Sequence, residues 1–275
     1  MISDIQRFYN KMTAMLTTSI EIILKIFDTS RDKEKVYVAA TCKQLNSIMD
    51  RLIFFQKVRV TKITHLPYFD NFKHVEIGDF VRYPKYVTHV TFGNSFDNPI
   101  VNKMPSSVTH VTFGRNFNRS FSANMLSSVT HLTFGHHFNQ PLKLCMPQSV
   151  THLIFGRDFD QPIVDCIPDS VTHLTFGYYF NQSLKRCIPL SVTHLTFGHH
   201  FNQPLKSCIP SSVTHITFGY WYRQPINSLP RSIEKILLHT RYTRQIDSSI
   251  LSKVARHSNP IVAQYLSINA PFASC

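Results

Sequence analysis

The sequence predicts a repeat solenoid, with a parallel β-sheet along one face and extended, polyproline-like return arms along the other. Three observations predict it. A phrase close to Ser-Val-Thr-His-Leu-Thr-Phe-Gly returns every 21 residues, with histidines at His89, His110, His131, His152, His173, His194 and His215 and no insertion between them. A fixed period of about 20–50 residues marks an array in which each coil buries its core against its neighbours. In a specimen coil, Val129, Leu132 and Phe134 stand at positions 1, 4 and 6, as on a strand that sends alternate side chains inward. Finally, Pro141 and Pro147 exclude a regular helix through the return arm. Adjacent coils are expected about 4.8 Å apart.

Composition bounds the rest. The 275 residues leave room for one elongated array and a smaller module, and 43% hydrophobic content excludes wholesale disorder. The longest apolar runs, such as Ile22-Ile23-Leu24, are far short of a membrane span, so no membrane partner is expected. Met1 to Asn10 lacks the basic-then-apolar order of a secretory signal. Six cysteines then read as reduced thiols of an intracellular, cytoplasmic protein. The net charge of +13 is spread out: ten Lys/Arg against six Asp/Glu in 1–60, fourteen against eight in 61–231, and five against two in 232–275. Without a basic cluster, no dedicated nucleic-acid site is expected.

Residues 1–56 contain neither Gly nor Pro and show helical spacing. Ile20, Ile23, Leu24 and Phe27 share one helix face, while Ile22 and Ile26 fall on other sides. A helix apolar round most of its circumference is buried on several sides. A second stripe, Val38, Cys42, Leu45 and Met49, marks another helix, and so short a segment hardly encloses both. The surplus apolar surface faces either the array, as a cap, or another protein.

Glu21-Ile22-Ile23-Leu24-Lys25-Ile26-Phe27 and the later Ala39-Ala40-Thr41-Cys42-Lys43-Gln44-Leu45 resemble an F-box over roughly residues 16–55. Thr18-Ser19 stands where that family has Leu-Pro, and Leu45 where it has an aromatic residue. The resemblance implies docking onto the adaptor subunit of a cullin–RING ubiquitin ligase through Ile20, Glu21, Ile22, Ile23, Ile26, Phe27, Cys42, Lys43 and Leu45.

Residues 57–84 read as degenerate first repeats, with strands at Lys57–Val60 and His74–Gly78. From 85 to 231 the array is regular, and Val129, Leu132 and Phe134 follow the L-x-x-L-x-L spacing of leucine-rich repeats. Phe92, Phe113, Phe134, Phe155, Phe176, Phe197 and Phe218 form one aromatic column. Phe96, Phe117, Phe138, Phe159, Phe180 and Phe201 form a second, which Tyr222 continues. Two such columns predict a stacked aromatic spine. The adjoining column, Asp97, Asn118, Asn139, Asp160, Asn181 and Asn202, is expected to bond the turn backbone of its own or the neighbouring coil, and it fails at Arg223. The whole phrase, with Phe138-Asn139-Gln140-Pro141, is very similar to the FNIP repeat from about Pro84 to Ile226. That resemblance implies a leucine-rich-like solenoid, a family in which an N-terminal F-box is common.

No residue set suggests catalysis. There are four glutamates (Glu21, Glu34, Glu76, Glu234), no phosphate-cradling Gly-rich loop, and no carboxylate pair outside repeat columns. The histidines form an open outward row, whereas a tight metal site needs converging ligands, so no metal or cofactor is expected. Cys145, Cys166, Cys187 and Cys208 also recur every 21 residues. Neighbouring coils bring them within disulfide range, but their place beside Ile/Met-Pro favours packed thiols.

A binding protein built of identical columns recognises its partner where the columns vary. The two residues after each glycine do so: Arg115-Asn116, His136-His137, Arg157-Asp158, Tyr178-Tyr179, His199-His200 and Tyr220-Trp221. Tyr, Trp and Arg dominate binding hot spots. Arg115, His136, Arg157, Tyr178, Tyr179, His199, Tyr220 and Trp221 are therefore the target-binding candidates; the bland alternative is tolerant loop positions at the sheet's edge. From 232 to 275 a last degenerate repeat is followed by helical stretches at Ser248–Arg256 and Ile261–Leu266, a helical cap for the open end.

The sequence thus predicts an F-box-like helical module at 1–56, degenerate repeats at 57–84, the solenoid at 85–231 and a cap at 232–275. The expected function is substrate recruitment to a ubiquitin ligase by a non-catalytic chain, monomeric on its own, that binds a cullin-ligase adaptor subunit and a target protein. The alternative is a scaffold or decoy whose N-terminal helices are only a cap.

Overall fold

The computed structural model describes residues 51–78, 82–142 and 145–258. The adaptor candidates Ile20 to Leu45 lie outside these residues, as do Lys143 of one return arm and the second expected helix at 261–266. The chain divides into two compact units, Met1–Thr91 and Phe92–Cys275.

In the first unit, β1 (Val58–Arg59) pairs in parallel with β2 (His74–Ile77), setting Val58 opposite Val75, and β3 begins at His89. β1 and β2 fall on the two stretches expected to be degenerate strands. Their outward residues form ion pairs: Glu76 meets Lys57 at 3.5 Å and Arg59 at 3.2 Å. Packing starts before β1. Leu52 and Phe54 are buried, Phe54 bridges in parallel to Phe72, and the two rings lie 4.7 Å apart.

The second unit is a regular parallel solenoid. β3 (His89–Phe92) ends at its first residue, and then come β4 (His110–Thr112), β5 (His131–Thr133), β6 (His152–Ile154), β7 (His173–Thr175), β8 (His194–Thr196), β9 (His215–Thr217) and β10 (Lys235–His239). From β4 to β9 each histidine faces the histidine one coil on, so the register equals the sequence period. The phrase carries its own lateral bonding. Ser149 Oγ donates to the Val129 carbonyl at 2.7 Å, and the Thr151 and His152 N–H groups both donate to the Thr130 carbonyl, at 2.8 and 3.0 Å. Val150 between them is fully buried.

Alternation places the core as expected: Leu132, Phe134, Leu153, Phe155, Leu174 and Phe176 point in and are buried. Both phenylalanine columns stack. Within a coil, Phe155 and Phe159 are 4.1 Å apart and nearly parallel. Between coils, the first column repeats at 5.8 Å from Phe155 to Phe176, and the second at 6.1 Å from Phe159 to Phe180. Such a spine accounts for the thickness of a coil that has no helix on its return side.

The return arms behave as the prolines dictate. Among the described residues they contain no strand, and a 3-10 turn, Ala123–Leu126, forms in the coil where Ser120 and Leu126 replace the two prolines. The proline-bearing arms instead make a tight turn, with Cys166 N–H on Ile163 O at 3.2 Å. Asp165, Arg186 and Ser207, each one residue before the cysteine, take left-handed φ of 54°, 60° and 57°. Cys145, Cys187 and Cys208 are free thiols, and Cys145 and Cys187 are buried. Burial pushes the Cys145 thiol up to about 11, so it is protonated and unreactive at neutral pH.

The C-terminal end corrects an expectation. Ser248–Arg256 is not helical throughout: the helix is one turn, Ser248–Leu251, capped by the Asp247 carboxylate on Ser249 N–H at 2.9 Å. Val254–His257 is instead a strand, β11, pairing in parallel with β10 (Ile236 opposite Val254). The unsatisfied edge of β10 is thereby met by backbone, which a short helix would not do. The step from Ile236 to Val254 is shorter than the sequence period, which hides this coil from a search at 21 residues.

Candidate functional site

The candidate site is built on the glycines. None has a positive φ, so they are not there for left-handed turns. A Cβ built at Gly156 would fall on the carbonyl oxygen of Gly135, well inside van der Waals contact, and the same clash recurs from Gly114 to Gly219. Glycine is what allows one coil to lie directly on the next at this corner.

The post-glycine residues are then locked in line. Tyr179 N–H donates to Arg157 O at 3.0 Å, His200 N–H to Tyr178 O at 2.9 Å, and Trp221 N–H to His199 O at 3.0 Å; Asp158 and His137 do likewise one and two coils earlier. These positions are therefore a second hydrogen-bonded ladder rather than tolerant loops, and their side chains stand on a fixed backbone.

The ladder brings six of the eight candidates into ring or cation–ring contact in two groups. The first residues of the pairs stack face to face: Tyr178 on His199 at 4.5 Å and His199 on Tyr220 at 4.8 Å. The second residues form an outer row, with Tyr179 to His200 at 5.0 Å and His200 to Trp221 at 6.4 Å. Tyr179 and Trp221 are 40% and 47% exposed, unusual for rings this large. Arg157 caps the near end, its guanidinium 5.4 Å from the Tyr178 ring and 5.3 Å from Tyr179, and it donates to the Tyr179 hydroxyl at 3.1 Å. Arg115 and His136 lie earlier on the same ladder without joining this aromatic group. His136 titrates below the ordinary histidine range because it is part-buried, with Arg115, His137 and Arg157 adding to the effect. Burial lowers His199 in the same way.

Three contributors were not among the candidates. His200, although it belongs to one of the varying pairs, links Tyr179 to Trp221. Arg241 lies 4.8 Å over the Tyr220 ring and closes the far end, and His239 meets Tyr220 edge-on at 4.8 Å. His239 occupies the glycine position of a shortened coil, so Arg241 aligns with Trp221 only if Tyr242 is first aligned with Tyr222. The aromatic column carried that signal, because Tyr242 stacks on Tyr222 at 6.2 Å.

The histidine row on the sheet's outer side is a stack. Ring centroids from His110 to His215 are 4.1, 4.2, 4.2, 4.3 and 4.4 Å apart in turn. Each Nδ1 shares a hydrogen bond with the preceding threonine hydroxyl, 3.0 Å in Thr151–His152. Burial first, and then the neighbouring imidazoles, lower the pKa of His131, His152, His173 and His194. Those four imidazoles are therefore held toward the neutral form. Among the described residues no three or more His, Cys, Asp or Glu are grouped to hold a metal ion, and no helix is long and apolar enough to cross a membrane. The asparagine column bonds the neighbouring coil: Asn139 Oδ1 accepts from Asp160 N–H at 3.0 Å and from Gln161 Nε2 at 3.1 Å.

Fold and strip together define a leucine-rich-like parallel β-solenoid that presents a non-repeating aromatic edge. The chain belongs to the FNIP repeat family, whose model matches residues 100–137, 138–179, 180–221 and 201–241, more than half of the sequence. Among solved structures it is similar to CroV588, described as a novel circular LRR protein, at 35% identity with a TM-score of 0.57. That match covers 68% of this chain and 33% of the other, so the present chain spans about a third of that protein's length. No curated protein matches.

Proposed function

We propose that the chain recruits a target protein to a cullin–RING ubiquitin ligase, supplying no catalytic residue itself. In this reading residues 1–56 are the F-box-like module, and Ile20, Glu21, Ile22, Ile23, Ile26, Phe27, Cys42, Lys43 and Leu45 dock on the ligase adaptor. The solenoid, from its degenerate first repeats at 57–84 through 85–231 to the capping segment 232–275, captures the target inside the cell. The observation that carries the binding role is the locked post-glycine ladder. Specific recognition needs non-repeating chemistry on a rigid support, and Tyr178, Tyr179, His199, Tyr220 and Trp221 have both.

The alternative, an interaction scaffold whose N-terminal helices only cap the array, has one observation in its favour: Leu52 and Phe54, directly after those helices, are already buried. One pair of variants separates the readings. Tyr179→Ala with Trp221→Ala is expected to abolish target capture in a comparative pull-down, with the melting temperature and adaptor binding unchanged. Ile23→Asp with Phe27→Asp is expected to abolish adaptor binding while the solenoid still melts as in the parent. If the second variant fails to fold, those apolar faces belong to a cap and the ligase role is withdrawn. Capture that survives the first variant but is lost on changing Lys143, Asp165, Lys185, Arg186 and Lys206 moves the recognition face to the return arms.

A further inference from the structure

We infer that the strip takes an acidic peptide segment of its partner, with two carboxylates about six residues apart and an aromatic side chain between them. This deepens the reading of the strip as the target-binding face and rests on it.

The charges on the strip are one-sided. Arg115, Arg157 and Arg241 are exposed, and the strip's one carboxylate, Asp158, is already engaged by His137 Nδ1 at 2.7 Å. The carboxylates of the adjoining column are also occupied. Asp97 binds Arg119 at 2.9 Å, and Asp160 accepts from the Asn181 N–H at 2.9 Å and from Gln182 at 3.0 Å. Among the described residues no ion pair joins a carboxylate to Arg157 or Arg241, and the charge of Asp158 acts on Arg157 only at longer range. Each guanidinium lies on a tyrosine ring, which fixes its plane and leaves donors for a carboxylate, the group Arg recognises by paired parallel hydrogen bonds.

The spacing sets the ligand. Arg157 and Arg241 stand four coils apart, about 19 Å at the inter-strand distance, which an extended peptide covers in about six residues. The exposed edges of Tyr179, His200 and Trp221 line the interval. Nucleic acid fits less well. A nucleic-acid strand carries a charge about every 3.4 Å, far denser than these arginines. The faces a base would stack on are already covered, because Tyr178, His199 and Tyr220 stack on one another.

Trp221 is the sole tryptophan, so its fluorescence reports on this site. The probe is a nine-residue peptide with glutamates at positions 2 and 8 and tyrosine at position 5, titrated into the full-length chain. The expected result is a saturable change in Trp221 emission that weakens with added salt. Replacing both glutamates by glutamine, or using Arg157→Gln with Arg241→Gln, should weaken binding at least tenfold. Lys185→Gln with Lys206→Gln removes the same charge from the return arms and should leave binding as in the parent. Equal binding of the glutamine peptide, an equal loss in the lysine variant, or tighter binding of a twelve-residue oligothymidine each overturns the inference. If Tyr179→Ala with Trp221→Ala abolishes capture of the natural target but Arg157→Gln with Arg241→Gln does not, the target face stands and the acidic ligand falls. If neither pair affects capture, both fall.

Discussion

Phe155 and Phe159 are separated in sequence by Gly156, Arg157 and Asp158, and the two sets could hardly differ more. The phenylalanines are fully buried, stack 4.1 Å apart, and recur with little change in every regular coil. Arg157 and Asp158 become His-His, Tyr-Tyr or Tyr-Trp in other coils and face solvent, though their backbone is held as firmly as any strand. The spine repeats because each ring must fit the ring above and below it. The strip can vary because its recurring bonds between coils are made by the main chain, while its side-chain contacts differ from coil to coil. Uniformity therefore marks where stability resides and variation where recognition can reside, on one continuous backbone.

The sharpest test of that division is Gly156→Ala. The added Cβ would meet the Gly135 carbonyl, a backbone atom that cannot swing away. The cost should exceed about 5 kcal/mol, enough to disrupt the coil, as read by loss of cooperative thermal unfolding. Phe155→Ala comes next. It removes a ring stacked on Phe134, Phe159 and Phe176 and should cost about 3–5 kcal/mol in denaturant melts, with the fold retained. If either costs under about 1 kcal/mol, the uniform columns are not the source of stability.

The histidine row is uniform yet outward, and pH tests to which side of the comparison it belongs. His131, His152, His173 and His194 all titrate below the ordinary histidine value of about 6.5, as do His136, His199 and His257. Between that value and the lower folded one, the unfolded chain binds more protons, so stability rises with pH there. Stability should be complete above about pH 6.5 and be lost progressively as pH falls through the folded values. Protonation would also set like charges on rings only 4.2 Å apart. His152→Gln with His173→Gln should flatten the slope of melting temperature against pH between 7.5 and 5.5. An unchanged slope would remove the row from the account of stability.

How much of this was legible depends on what each residue needs to show its role. Phe134 and Phe138 announced the spine, because period and alternation together decide which way a strand residue points. The Asn139 bond to the next coil was half legible: the residue type gave a turn acceptor, and only the coil geometry shows that the donor is Asp160 of the following coil. The glycines announced themselves by closing every phrase of the repeat, but nothing in a sequence separates a glycine needed for its φ from one needed for a missing Cβ. The strip's residues were legible and their rigidity was not, since hydrogen bonds between coils leave no trace in the identity of Tyr178 or His199. β11 and Arg241 escaped because the period shortens after Tyr222, and a fixed-period reading stops where the period does.

The smallest predicted effect lies where the two regions touch. Tyr222 sits in the second aromatic column between Phe201 at 6.0 Å and Tyr242 at 6.2 Å, where earlier coils have phenylalanine. Its hydroxyl is buried without a hydrogen-bond partner, whereas Tyr242 donates its own hydroxyl to Gln224 O at 3.0 Å. Burial holds the Tyr222 phenol well above its ordinary pKa, so it is neutral at pH 7. An unpaired buried hydroxyl costs stability that a phenyl ring in the same stack does not lose. Tyr222→Phe should therefore stabilise the protein by about 1 kcal/mol, seen as a higher denaturation midpoint with an unchanged slope. Target capture should not change, since the ring lies beneath Trp221 in sequence order and is fully covered. A destabilised variant would show that the hydroxyl has a partner, and that this coil, next to the exposed Trp221 of the strip, is not simply one more repeat of the spine.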